Sequence, residues 1–267
     1  RANSMKISTQ LKKLIKMPVK VALNTVGFDL VRYSAASGGS AFPPDFTSNE
    51  IEDYLAVRPF TLTSPERVIS LIRSVEYVVT NKIPGDIVEC GVWKGGSMMA
   101  VAKTLLRLKS SDRHLYLFDT YEGMSKPTGV DVSVDGEKAM ATWQKDQSEN
   151  QENEFTFIPL DQVKKKVLEV GYDSDRVHFV KGKVEDTIPA QAPDQISLLR
   201  LDTDWYESTL HELNHLFSRV SPGGVVIIDD YGHWAGARKA TDEFLKKTGI
   251  PLLLNRIDYT GRIAVKL

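Results

Sequence analysis

The chain has 267 residues, 42% of them hydrophobic and 26% charged, with 34 basic and 35 acidic residues and a formal net charge of −1. That is a globular composition rather than a disordered one, and the balanced charge gives no reason to expect binding to a phosphate backbone as the main activity. The single cysteine, Cys90, excludes an intrachain disulfide framework and a cysteine-rich zinc site, and no apolar run approaches the ~18 residues of a membrane span.

Residues 1–60 read as an N-terminal arm and helical extension ahead of a main domain at 61–267. Lys6, Lys12, Lys13, Lys16 and Lys20 interleave with Leu11, Leu14 and Ile15, and Pro18 cuts the pattern short. So brief a basic-apolar stretch predicts an arm docking on its own domain or a partner subunit, hence a homo-oligomer, rather than a membrane-surface helix. A long apolar core with a small-residue cleavage site is lacking, so cytoplasmic location is the default expectation. A Gly/Ser/Pro-rich connector follows over 34–44. Ser48 then caps a short helix running toward Arg58. Ser64 and Pro65 open another as N-cap and first helical residue, with Val68, Leu71, Ile72, Val75 and Val79 at helical spacing.

From residue 86 short β-rich runs alternate with helical ones. Strands are predicted over 86–90, 115–119, 177–181, 196–202, 225–229, 252–256 and 262–266, and helices near 96–109, 161–170, 183–188, 205–219 and 234–247. This alternation predicts an α/β fold, a doubly wound and mostly parallel seven-stranded sheet covered on both faces. The last two strands are separated only by a turn, so they pair as an antiparallel hairpin at or near an edge. Residues 121–155 are polar and aperiodic, and a segment that long is expected to be a lid or substrate loop.

The first strand runs through Glu89 and Cys90 into Gly91, followed by Gly95, Gly96 and Ser97. Glycines between a strand and a helix allow a tight turn and close approach of a ligand. The spacing departs from the Gly-x-Gly-x-x-Gly of dinucleotide sites. A carboxylate at this strand tip repels a diphosphate and attracts an ammonium, which S-adenosylmethionine carries beside its sulfonium. Asp119 ends the second strand, where a carboxylate accepts bonds from ribose hydroxyls. After the third strand, Glu185 or Asp186 is placed to accept from an adenine amino group, or merely to offset a helix dipole.

The fourth and fifth predicted strands both end in paired carboxylates, Asp202 with Asp204 and Asp229 with Asp230. Carboxylates crowded at the carboxyl edge of a sheet repel one another and call for a cation or protons. All-oxygen ligands suit Mg²⁺, Mn²⁺ or Ca²⁺ rather than zinc. His233 follows directly as an alternative base or a substrate contact. Tyr121, Trp143, Trp205 and Tyr206 are candidates for a sugar-stacking wall. Arg238 and Asp242, one turn apart on a helix, are placed to pair with each other.

Taken together, Glu89-Cys90-Gly91-Val92 with Gly95-Gly96-Ser97, Phe118-Asp119-Thr120-Tyr121-Glu122-Gly123-Met124, Asp202-Thr203-Asp204-Trp205-Tyr206-Glu207-Ser208-Thr209, and Asp229-Asp230-Tyr231-Gly232 with Ala237-Arg238-Lys239-Ala240 resemble the macrocin O-methyltransferase family. The resemblance spans about residues 60–267, and the stretch before residue 60 carries none of it. It implies S-adenosylmethionine-dependent, metal-dependent methylation of a sugar hydroxyl on a natural product or glycan. By position, the resemblance implies Asp202, Asp229 and Asp230 as ligands of Mg²⁺ (or Mn²⁺) and Asp204 as the base. It also implies Glu89, Ser97, Asp119 and Glu185 near the cofactor. The missing Gly-x-Gly and the clustered aspartates argue against a dehydrogenase, and two further classes compete: a glycosyltransferase using Asp202-Thr203-Asp204 as its Asp-x-Asp motif, and a non-catalytic glycan-binding module. Neither explains the glycine loop together with Glu89.

Overall fold

The computed structural model describes residues 42–148 and 157–267. The basic arm up to residue 41 and the 149–156 part of the expected lid lie outside the described residues. The chain divides into two units, Arg1–Phe46 and Thr47–Leu267, and the regular elements among the described residues all belong to the second.

Helix α1 spans Ser48–Val57. Its cap is Thr47 rather than the expected Ser48: Thr47 Oγ1 accepts from the Glu50 amide at 3.3 Å, and Glu50 Oε2 accepts from the Thr47 amide at 2.6 Å. This Thr-x-x-Glu box satisfies two otherwise orphaned N–H groups. Helix α2, Pro65–Thr80, is capped by Ser64 with Pro65 at its first turn, as predicted. Its buried stripe of Val68, Ile69, Leu71, Ile72, Val75 and Val78 packs toward the core, each side chain contributing roughly 1.5–3 kcal/mol.

Then follow β1 (Asp86–Cys90), α3 (Gly96–Arg107), β2 (Leu115–Asp119), α4 (Ala139–Ser148), α5 (Leu160–Leu168), β3 (Val177–Lys181), α6 (Val184–Thr187), β4 (Ile196–Leu201), α7 (Tyr206–Leu216), β5 (Val220–Ile228), α8 (Ala235–Thr248), β6 (Asn255–Arg256) and β7 (Arg262–Val265). The seven strands form one sheet in the order β3-β2-β1-β4-β5-β7-β6. Strands β1 to β5 pair in parallel, while β7 pairs antiparallel with β5 and β6. The predicted α/β sheet with its C-terminal hairpin is therefore present. The strand order reverses between β1 and β4, which puts a ligand crevice at the carboxyl ends of those strands.

Several boundaries differ from expectation, most by a residue or two, and those of β4, β5 and β6 matter here. Strand β4 stops at Leu201, before the aspartate. Strand β5 begins five residues earlier than residue 225, because the Gly223 amide bonds the Lys266 carbonyl at 2.7 Å and carries pairing through Pro222-Gly223-Gly224. Strand β6 keeps only two residues of the predicted 252–256. The aperiodic 121–155 stretch contains α4, a polar helix without an apolar stripe, and an isolated bridge joins Ser133 to Trp234. Among the described residues no helix is long and apolar enough to cross a membrane.

Candidate active site

The strand tips open into one cavity of about 540 Å³. That is within the usual range for a small-molecule site. One wall starts at Gly91, where φ is +85° and an added Cβ would lie 1.9 Å from the Asp202 carbonyl oxygen. Only glycine fits there, and the close approach brings the β1 tip against the β4 tip. Gly96 and Ser97 begin α3 and also line the cavity.

Asp119, at the β2 tip, accepts from the amides of Val92 at 2.7 Å, Trp93 at 3.0 Å and Tyr121 at 2.8 Å. It thereby ties the glycine turn to β2 while lining the cavity. Glu185 lines the cavity from α6, and Asp186 does not.

Glu89 is placed differently from these. It is fully buried and does not line the cavity. The register pairs Glu89 with Arg200, whose Nη1 donates to Glu89 Oε1 at 2.6 Å. Glu89 Oε2 has no hydrogen-bond partner among the described residues. Burial pushes its carboxyl up to about 7 against the lowering effect of Arg200.

The aspartates converge as expected. Asp202, Asp229 and Asp230 each offer an oxygen, all within 4.8 Å of one another. Asp229 and Asp230 are buried, while Asp202 keeps 26% of its side chain open. Two guanidiniums sit among them. Arg200 bonds Asp202 Oδ2 and Asp229 Oδ1, both at 2.7 Å, and Arg67 contacts Asp229 Oδ2 and, at 3.0 Å, Asp258. The carboxylates still outnumber the guanidiniums. Burial and mutual repulsion hold Asp202 and Asp230 well above the usual carboxylate range.

Asp204 follows β4 in a left-handed conformation, φ +67°. Because the strand has already ended, Asp202 and Asp204 are not related by strand alternation. The Asp204 amide donates to Asp230 Oδ2 at 3.1 Å. Burial and the Asp202 charge push its carboxyl up to about 7, while bonds with Asp230 and Trp234 pull the other way. Trp93 and Tyr121, at φ +49° and +51°, also line the cavity. Non-glycine residues held at positive φ cluster where a site over-determines the backbone.

His233 lines the cavity edge-on to Trp234 and Tyr259, with Nδ1 3.4 Å from the Tyr259 hydroxyl. Of the aromatic candidates, Tyr121, Trp143 and Trp205 line the cavity, and Trp205 meets Trp234 edge-on at 4.9 Å. Tyr206 turns away to bond Glu243 at 2.6 Å. Arg238 and Asp242 do not pair: Arg238 donates to the Tyr231 and Gly232 carbonyls, and Asp242 accepts from the Tyr231 hydroxyl.

Sequence reasoning missed Arg67, Arg200 and Trp234. Arg200 carried a signal, a lone cation inside the buried run Leu198-Leu199-Arg200-Leu201. Arg67 carried none, since a basic residue in a first helical turn resembles surface charge.

The family model for macrocin O-methyltransferases matches residues 12–265. The likeness thus reaches well ahead of residue 60, where the motif-based resemblance stopped. The chain is 34% identical over 201 residues to the 8-demethyl-8-(2,3-dimethoxy-alpha-L-rhamnosyl)-tetracenomycin-C 4'-O-methyltransferase of Streptomyces olivaceus, covering 75% of this chain and 73% of that protein. It is 32% identical over 212 residues to the mycinamicin III 3''-O-methyltransferase of Micromonospora griseorubida, covering 79% of each. Among solved structures, the O-methyltransferase NovP matches with a TM-score of 0.67 and 29% identity over 78% of this chain and 82% of that one. The calicheamicin methyltransferase CalS11, at 18% identity and a TM-score of 0.55, shares the fold. With the family model spanning nearly the whole chain over this fold and this carboxylate-lined cavity, the protein is an O-methyltransferase belonging to the macrocin O-methyltransferase family.

Proposed function

We propose that the chain transfers a methyl group from S-adenosylmethionine to a hydroxyl of a sugar on a natural product or glycan, assisted by a Mg²⁺-like ion. The observation that carries this reading is the convergence of Asp202, Asp229 and Asp230 in the same cavity as the Gly91 turn and Asp119. The relatives named above, which methylate a rhamnosyl-bearing tetracenomycin and mycinamicin III, support it.

The residues fit both groups. The glycine turn lines the cavity with backbone rather than side chain, and Asp119 and Glu185 offer acceptors to a nucleoside. On the metal side, the donor set is all carboxylate oxygen, suited to Mg²⁺ or Mn²⁺. Each Asp229 oxygen retains a lone pair beyond its arginine contact.

A free carboxylate is a poor base for a sugar hydroxyl: the acidity gap is roughly 12 units, or about 16 kcal/mol. A divalent ion at the three aspartates, when bound, narrows that gap by acidifying a hydroxyl near it. S-adenosylmethionine, when bound, would supply the methyl carbon, its S–CH3 bond breaking so that the neutral thioether S-adenosylhomocysteine leaves. Asp204 then accepts the hydroxyl proton as the oxygen attacks, with His233 as the alternative acceptor. Trp143, Trp205 and Trp234 orient the sugar ring and exclude water from the reacting atoms.

Calorimetric titration with S-adenosylmethionine, then with a nucleotide-sugar, tests the reading. Binding of the first alone is expected. Binding of the nucleotide-sugar without S-adenosylmethionine would instead favour glycosyl transfer.

A further inference from the structure

Both helices that follow the aspartate-bearing strand tips start without a side-chain cap of their own. Trp205 is the N-cap of α7 and Trp234 that of α8, and neither makes a capping bond. Four N–H groups at each helix start need acceptors, and an indole has none to give. One acceptor for each start comes from a single distant segment, in the polar stretch after β2. Asp131 Oδ1 accepts from the Tyr206 amide at 2.8 Å, across 75 residues of sequence. The neighbouring Val132 carbonyl accepts from the Ala235 amide at 2.9 Å.

The segment is held firmly for this task. Asp131 is 1% exposed although it lies in an irregular, polar stretch. Its Oδ2 accepts from the Thr128 amide at 2.6 Å and the Thr128 hydroxyl at 2.8 Å. Gly236, in the first turn of α8, leaves the space: a Cβ there would fall 1.8 Å from Asp131 Oδ1. Ser133 bridges Trp234, and the Trp205 indole donates to the Ser125 carbonyl at 2.9 Å. The same loop lines the cavity through Met124 and Ser125, and α4, which follows it, through Trp143.

We infer that Asp131 is a positioning residue, clamping the starts of α7 and α8 together so that the turns carrying Asp202–Asp204 and Asp229–Asp230 keep their mutual geometry. A single buried carboxylate suits the task, because its charge is favourable near two helix N-termini at once. Asp131 touches no reacting atom in this account. It acts through the Tyr206 amide and the backbone of Trp205, directly after the strained Asp204. The inference rests on the reading of those aspartates as the catalytic cluster.

The test compares the parent with Asp131→Ala, Asp131→Asn and Asp204→Asn. Methyl-transfer kinetics, S-adenosylmethionine affinity and amide hydrogen exchange are measured on each. Asp131→Ala should lower kcat about 10–100-fold, the range for partners that orient working side chains. It should leave cofactor affinity within about twofold, since the glycine turn is untouched, and speed exchange over 203–209 and 233–238. Asp131→Asn keeps an acceptor for Tyr206 but turns a donor toward Thr128. It should keep most activity and 203–209 protection while loosening 126–133, and it serves if the alanine variant fails to fold. Parent-like kcat or parent-like exchange at 203–209 in Asp131→Ala, with Asp204→Asn inactive, overturns the clamp alone. A fully active Asp204→Asn overturns the role of Asp204 as proton acceptor, and the exchange data then still decide whether the clamp exists.

Discussion

Arg200 and Glu89 are register partners on β4 and β1, with Nη1 and Oε1 2.6 Å apart and side chains only 3% and 1% exposed. The pair lies in the floor from which the aspartates rise, because the same guanidinium also bonds Asp202 and Asp229.

Burial raises the Glu89 carboxyl from its ordinary 4.5 to about 7. Between those values the folded protein binds a proton that the unfolded chain has released. The Glu89 contribution to stability therefore falls as pH rises through that window and is level above it. Glu89→Gln has no such proton, so the stability difference between parent and variant should shift against the parent from about pH 5 to about pH 8. Urea unfolding at both pH values measures this, and an unchanged difference would refute it.

Thr203 and Glu212 form a second buried contact beneath the turn. The Thr203 hydroxyl donates to Glu212 Oε1 at 3.0 Å, and Glu212 is fully buried with its other oxygen unpartnered among the described residues. Burial holds this carboxyl well above the usual range. Thr203→Val should cost about 1–3 kcal/mol in urea unfolding, the penalty for an orphaned buried polar group. Glu212→Gln should cost less, because the amide oxygen still accepts from Thr203.

Much of this organisation was legible from sequence for identifiable reasons. Apolar runs capped by carboxylates marked the ends of β4 and β5, and strand-helix alternation marked the parallel sheet. What could not be read was pairing at a distance. Nothing in the sequence shows that the Glu89 carboxylate has Arg200 as its register partner. Asp131 lies in a polar, aperiodic loop, and its partner, the Tyr206 amide, is 75 residues away in sequence. The polar helix α4 lacks an apolar stripe, and the strand predicted from residue 225 left out Pro222-Gly223-Gly224 although β5 runs through them.

Cys90 should behave as an inert thiol. It is fully buried, and burial together with the Glu212 and Glu89 charges pushes its thiol well above the ordinary value. Native protein should leave an aromatic disulfide reagent unreacted, while urea-unfolded protein should release one equivalent. Fast labelling of the native protein would contradict the packing described.

Asp229 and Asp204 should separate by phenotype. Asp229→Asn removes a charged ligand, so metal affinity should fall and excess Mg²⁺ should partly restore turnover. Asp204→Asn should bind metal and S-adenosylmethionine nearly as the parent does while turning over about 10²–10⁴-fold more slowly, because an amide accepts no proton at neutral pH. Unaffected turnover in Asp204→Asn would move the proton acceptor to His233 or to water.

The most direct measurement is the transfer of labelled methyl from S-adenosylmethionine to a glycoside acceptor, followed before chelation, after exhaustive chelation, and after Mg²⁺ is added back. Transfer that stops on chelation and resumes with Mg²⁺ is the predicted result. Transfer at the full rate by the chelated enzyme would contradict the role given to Asp202, Asp229 and Asp230.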